Sequence, residues 1–197
     1  RPFFEELVDS ALRHANKLGA TDAAAEASEA CGLSVSVRKG DLENVERNRD
    51  KSLSVSVYVG LRRGNANTSD FSDAAIAQTV KAAFDIARFT AEDPMAGLPD
   101  ATDIAPPSSL ADELELFFPW QVTSEQAAEL AKECEQAALE TDARITNSEG
   151  AAVSAQQSHF FSAHTHGFRG GYSSSRHSIS VSPIASIGED MQRDAWY

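Results

Sequence analysis

The chain has 197 residues, 42% of them hydrophobic, with a formal charge of −13 and a pI near 4.7. That length holds one large domain or two small ones, with apolar residues enough for a packed core. The acidity argues against nucleic-acid binding, which needs a basic footprint on phosphate; the basic residues between Arg38 and Arg63 are interleaved with Asp41, Glu43, Glu46 and Asp50 and read as a solvated sheet face.

A first helix is expected from about Phe3 to Leu18, where Phe4, Leu7, Val8, Ala11, Ala15 and Leu18 form one apolar stripe and Gly19 follows as a stop. Ala23 to Ala30 then leads into strands, with Cys31 closing that run. Leu33, Val35 and Val37 alternate with Ser34 and Ser36, and Leu53, Val55, Val57 and Val59 alternate with Ser54, Ser56 and Tyr58. A period of two gives each run one apolar and one polar face. Turn signals separate the runs at Lys39-Gly40-Asp41, at Asn48-Arg49-Asp50 and between Gly60 and Gly64. The repeated Leu-Ser-Val-Ser-Val, in two copies with different surroundings, reads as a meander.

Ser72 caps a second helix that buries Ile76, Val80, Ala83, Phe84 and Ala87 and ends near Phe89. Pro94, Pro99, Pro106 and Pro107 then mark a linker. Its distal end, with Leu114, Leu116, Phe117, Phe118 and Trp120, is apolar enough to be expected to pack down. Thr123 and Gln126 have capping-box spacing at the head of a third helix, with Ala127, Leu130, Ala131, Cys134 and Ala138 on its apolar stripe. From Arg144 the pattern returns to strands. Asn147 to Gly150 reads as a turn, Ala151 to His164 and Ser178 to Ile187 as strands, and Gly167, Gly170 and Gly171 as further turns.

The expected architecture is α+β, with largely antiparallel sheets and packed amphipathic helices. It divides into a helix–sheet–helix unit at 1–90, a Pro-rich acidic linker at 91–122 and a helix with a second strand block at 123–197. Cys31 and Cys134 read as thiols in a reduced compartment. No run approaches the ~18 apolar residues of a membrane helix. No signal peptide is read, so a cytoplasmic location is expected and the sequon Asn67-Thr68-Ser69 is expected to stay unmodified.

The chemistry-bearing residues were weighed singly. His164 and His166, spaced i, i+2, would share a strand face, and His159 and His177 could approach from neighbouring strands. Zinc needs three or four such ligands, and no carboxylate or cysteine lies at ligand spacing, so hydrogen-bonded strand histidines are the plainer reading. No histidine is followed by glutamate, so no HExxH or HExxxH helix is present. Ser173, Ser174 and Ser175 precede Arg176-His177, but no G-x-S-x-G elbow occurs. Gly167-Phe168-Arg169-Gly170-Gly171 is not a phosphate loop. It suits a bending strand pair, or an open edge near Phe168–Ser180 to which an extended peptide could add. No catalytic, cofactor-binding or metal residue is assigned.

The chain resembles the TldD/PmbA family, in its PmbA (TldE) branch. The likeness runs through Gly32-Leu33-Ser34-Val35-Ser36-Val37-Arg38, Asp41-Leu42-Glu43-Asn44-Val45-Glu46 and Leu53 to Gly64 with Asn65-Ala66-Asn67-Thr68-Ser69-Asp70. It continues in Asp85-Ile86-Ala87-Arg88-Phe89-Thr90, Asp93-Pro94, Ala96-Gly97 and Arg144-Ile145-Thr146-Asn147-Ser148-Glu149-Gly150. His166-Gly167-Phe168, Gly171-Tyr172, Ser175-Arg176-His177-Ser178 and Gly188-Glu189-Asp190-Met191-Gln192-Arg193-Asp194 complete it. The resemblance implies a cytosolic TldD–TldE heterodimer, a zinc peptidase acting on unfolded or leader peptides and often labelled a modulator of DNA gyrase. It places the HExxxH zinc site in the TldD-type partner, beyond the region matched here, so this chain is expected to carry no cofactor and to be non-catalytic. It also implies a longer protein, with Tyr197 a truncation or cleavage point. The expected partners are a TldD-like catalytic subunit and an extended peptide, with no direct nucleic acid and no membrane. The rival readings are a stand-alone interaction module and a metal-dependent hydrolase built on His159, His164 and His166.

Overall fold

The computed structural model describes residues 2–104 and 114–197. In chain order the elements are α1 (Pro2–Lys17), β1 (Asp22–Arg38), β2 (Asp41–Val59), β3 (Arg62–Thr68), α2 (Asp73–Phe89), a short 3-10 turn (Ala101–Asp103), α3 (Ser124–Glu140), β4 (Ile145–His164), β5 (Arg169–Ile187) and β6 (Asp190–Arg193). The strands form one antiparallel sheet in the order β3-β2-β1-β4-β5-β6, so the fold is the expected α+β. The chain packs as two compact units, one of Arg1–Glu29, Asp50–Leu116 and Ser158–Ser173, the other of Ala30–Arg49, Phe117–Gln157 and Ser174–Tyr197. Each of the four long strands, β1, β2, β4 and β5, contributes a segment to both.

In the first unit the helices follow from their stripes. Phe4, Leu7, Val8, Ala11 and Ala15 of α1 and Ile76, Val80 and Ala83 of α2 are buried with Ala23, Ala25 and Ala27 of β1 and Leu53, Val55 and Val57 of β2. The Ser72 hydroxyl caps α2 by accepting the Ala75 N–H. β3 meets α2 backbone to backbone: a Cβ on Gly64 would lie 2.0 Å from the Ala83 carbonyl oxygen. In the second unit Leu33, Val35 and Val37 pack with Ala127, Ala128 and Ala131 of α3 and with Ala151, Val153 and Val181. The expected capping box is formed, with Gln126 N–H on the Thr123 hydroxyl at 3.2 Å and Thr123 N–H on the Gln126 side chain at 3.0 Å.

Several expected turns are strand. Asn48-Arg49-Asp50 lies inside β2, where all residues from Asp41 to Lys51 are exposed. A strand solvated on both faces loses the alternation that announces it. Asn147 to Gly150 lies inside β4, Gly64 inside β3, Gly170 and Gly171 inside β5, and Cys31 midway along β1. Gly150 adopts φ +112° and lets the Val37 carbonyl oxygen come within 2.4 Å of where a Cβ would stand, which is close approach rather than chain reversal. The apolar end of the linker packs down only in part: Leu116, Phe117 and Trp120 are 37–40% exposed, whereas Leu114 and Phe118 are 57% and 63% exposed. Part of the expected linker at 91–122, including Pro106 and Pro107, lies outside the described residues.

Candidate functional site

In the first unit the chemistry-bearing side chains collect around the turn from β4 to β5. Gly167 takes φ +97°, and its N–H donates to the His164 carbonyl at 3.0 Å. Thr165 stitches this turn to the head of β1: its N–H donates to the Ala23 carbonyl at 2.9 Å and its hydroxyl accepts the Ala23 N–H at 3.1 Å. His164 stacks on Phe168, with ring centroids 5.5 Å apart, and its Nδ1 accepts the His166 N–H. The His166 ring lies between two acceptors, Nδ1 being 2.9 Å from the Pro99 carbonyl oxygen and Nε2 2.9 Å from Asp22 Oδ1.

These surroundings push the two rings apart. Burial, and then the charge on His166, hold His164 below the ordinary histidine pKa, against the pull of Asp22. The Pro99 carbonyl does most to raise His166 above it; burial opposes the rise, and Asp22 and Asp100 add to it.

The expected sharing of a strand face does not occur. His164 is the last residue of β4 and His166 lies in the turn, where their rings meet edge-on with centroids 6.1 Å apart. His159 faces Ser173, its Nδ1 2.7 Å from the hydroxyl oxygen. Among the described residues no three His, Cys, Asp or Glu side chains converge as metal ligands.

The second unit contains a cavity of about 820 Å³, lined among others by Cys31, Gly32, Arg47, Trp120, Gln156 and Gln157. The Gln157 amide donates to Cys31 Sγ at 3.1 Å. The Trp120 ring meets His177 edge-on at 5.6 Å, and the Phe118 N–H donates to the Ser175 hydroxyl at 2.8 Å. Beyond these contacts β5 has β4 on one side, while β6 covers only Ile184 to Ile187 and an isolated bridge joins Val181 to Trp196. From Arg176 to Ser180, no strand of the described residues pairs with its other edge.

The sequence-predicted candidates thus divide. Ser173 and Ser175 serve as hydrogen-bond partners on β5, to His159 and to the Phe118 N–H. Gly171 allows close packing, since a Cβ there would lie 2.2 Å from the Phe160 carbonyl oxygen. Sequence reasoning missed Asp22 and Glu135. Asp22 meets the β4–β5 turn across more than 140 residues of chain, with no local signal. Glu135 could have been found, because it continues the stripe Ala127, Ala131 at a spacing of four and is a carboxylate on a buried face.

Comparison with known proteins settles what carries these features. Residues 23–87 match the family model described as PmbA/TldA metallopeptidase domain 1, and residues 118–197 match that described as PmbA/TldA metallopeptidase central domain. The chain belongs to the PmbA/TldA metallopeptidase family. It is 44% identical over its whole length to the metalloprotease PmbA of Escherichia coli O157:H7, covering 43% of that protein. A Haemophilus influenzae metalloprotease PmbA homolog is 39% identical over 98% of the chain, which covers 42% of it. The chain thus spans less than half the length of these curated relatives. Crystal structures of TldE from Thermococcus kodakarensis (TM-score 0.76, 12% identity, 96% of this chain and 42% of that one) and of a Bacteroides thetaiotaomicron protein described as a modulator of DNA gyrase (TM-score 0.75, 22% identity, 98% and 44%) share its fold. The match to the PmbA branch bears out the resemblance read from the sequence.

Proposed function

We propose that this chain is the domain 1 and central-domain portion of a PmbA/TldE-type subunit, and that it serves a zinc peptidase assembly as scaffold and substrate holder rather than as catalyst. The observation that carries this reading is the collinear, whole-chain match to metalloprotease PmbA. On this reading a TldD-like partner supplies the zinc and the HExxxH helix. Two features of the chain support the division of labour. His159, His164, His166 and His177 are engaged with Ser173, Phe168, Asp22, Pro99 and Trp120, and among the described residues no three ligand side chains come together. β6 pairs only with Ile184 to Ile187 of β5, and no strand of the described residues pairs with that edge from Arg176 to Ser180, the kind of edge to which an extended peptide adds with little sequence preference. Exposed Phe118, Trp120 and Ile179 lie on the same unit as that stretch. Among the described residues no helix is long and apolar enough to cross a membrane.

The test is reconstitution. The full protein containing this chain and a TldD-type subunit are purified separately and together, then assayed for bound zinc and for hydrolysis of an unfolded peptide. Zinc should follow the TldD-type subunit, and hydrolysis should need both. Zinc-dependent hydrolysis by the protein containing this chain alone would overturn the non-catalytic assignment, as would a His-Glu-x-x-x-His motif in the reading frame beyond Tyr197.

A further inference from the structure

The segment that leaves α2 crosses the surface of the first unit with little burial of its own. From Ala91 to Asp100 all residues are exposed except Ala96 and Leu98, which are half-buried. A segment that buries so little apolar surface is held by its hydrogen bonds. Its near end is tied where the Asp93 N–H donates to the Leu61 carbonyl at 2.9 Å and Arg62 pairs with Glu92 at 3.2 Å. Its far end is tied where the Pro99 carbonyl meets His166.

The His166 contacts make a chemical demand. A carbonyl oxygen and a carboxylate oxygen both accept, so each ring nitrogen must bring a proton. Neutral imidazole has one N–H, and imidazolium has two. The pair of 2.9 Å contacts is therefore fully satisfied only by the charged ring. The groups that face it are Asp22 from β1, His164 from the end of β4 and Asp100 from the segment itself. Two are carboxylates, and the third is a histidine held toward its neutral form. We propose that His166 is a proton-operated clasp, which as imidazolium ties the segment after α2 to the head of β1 through both ring nitrogens and on losing its proton keeps only one of the two ties, so that the ring no longer joins the segment to β1.

The sign follows from the direction of the shift. The His166 pKa is raised in the folded chain, so the clasp contributes fully below the unfolded value and is lost as pH rises through the folded one. By reciprocity, protection of the segment should fall about tenfold for each unit by which the folded ring titrates above the unfolded one.

The experiment is an NMR titration of the whole chain between pH 5 and 9. The His166 ring is followed together with amide exchange at residues 97–104, expressed as protection relative to an unstructured peptide. The expected result is a ring midpoint above that of the same histidine in denaturant, with protection falling at that midpoint. His166→Gln, which keeps one amide donor for Pro99 but does not titrate, should hold a protection that no longer depends on pH; its circular dichroism controls for folding. In case that variant does not fold, Asp22→Asn gives a second reading and should lower the ring midpoint. An unshifted midpoint in the native chain, or protection of residues 97–104 that ignores pH, would overturn the clasp.

Discussion

Glu135 is 1% exposed and ionised by construction of its surroundings. Burial favours its neutral form, but the N–H groups of Gly40 and Lys39, each 2.9 Å away, outweigh it, with Ser148 and Arg38 adding to the effect, and the pKa falls below the usual carboxylate value. Both donors sit in a two-residue turn with φ of 52° at Lys39 and 78° at Gly40. Such a turn matches the twist of a hairpin but strains the non-glycine residue. Glu135 thus ties α3 to the β1–β2 hairpin and holds its turn. Glu135→Ala should cost about 3 kcal/mol, the scale of hydrogen bonds to a charged group whose partners are left unmet, as measured by urea unfolding at pH 7. Because the folded pKa is depressed, this contribution is present above the unfolded carboxylate pKa and is lost as pH falls through the folded one. The difference between native chain and variant should therefore shrink in acid.

Among the elements, those with local signals were legible. α2 and α3 begin at Ser72 and Thr123, where a side-chain oxygen three residues before an N–H fixes the start. The first half of β2 was not legible as strand, because Leu42 and Val45 are exposed and neither face is buried. The seating of α2 on β3 shows what a glycine inside a strand can mean. With the Ala83 carbonyl 2.0 Å and the Ala87 nitrogen 2.5 Å from a Cβ on Gly64, the obstacle is helix backbone, which yields only if the element moves. Gly64→Ala should cost about 3 kcal/mol or prevent folding of the first unit. Gly97→Ala, where a Cβ meets nothing within 4 Å, should change stability by less than about 0.5 kcal/mol. Thermal unfolding of the two variants side by side checks both.

For the molecule as a whole, the order of periodic segments carried the fold class and composition the charge argument, while the long-range pairings were invisible. Nothing local brings β4 beside β1 in the sheet, or Asp22 to His166. The histidines illustrate the limit: spacing suggested a shared strand face, and the two rings meet instead across the start of a turn. The charge of −13 leads to a whole-molecule expectation that the gyrase label of its relatives makes worth testing. With so few phosphate-neutralising side chains released from acidic neighbours, the chain should show no gel shift of duplex DNA at 0.15 M salt. A salt-dependent shift would contradict it.

The long strands carry a consequence for ancestry. β1, β2, β4 and β5 each belong partly to one compact unit and partly to the other. No single cut in the polypeptide releases either unit whole. A gene that split, fused or exchanged its pieces at one breakpoint would leave both unfinished. The two units are therefore expected to travel together, so that relatives keeping one should keep the other.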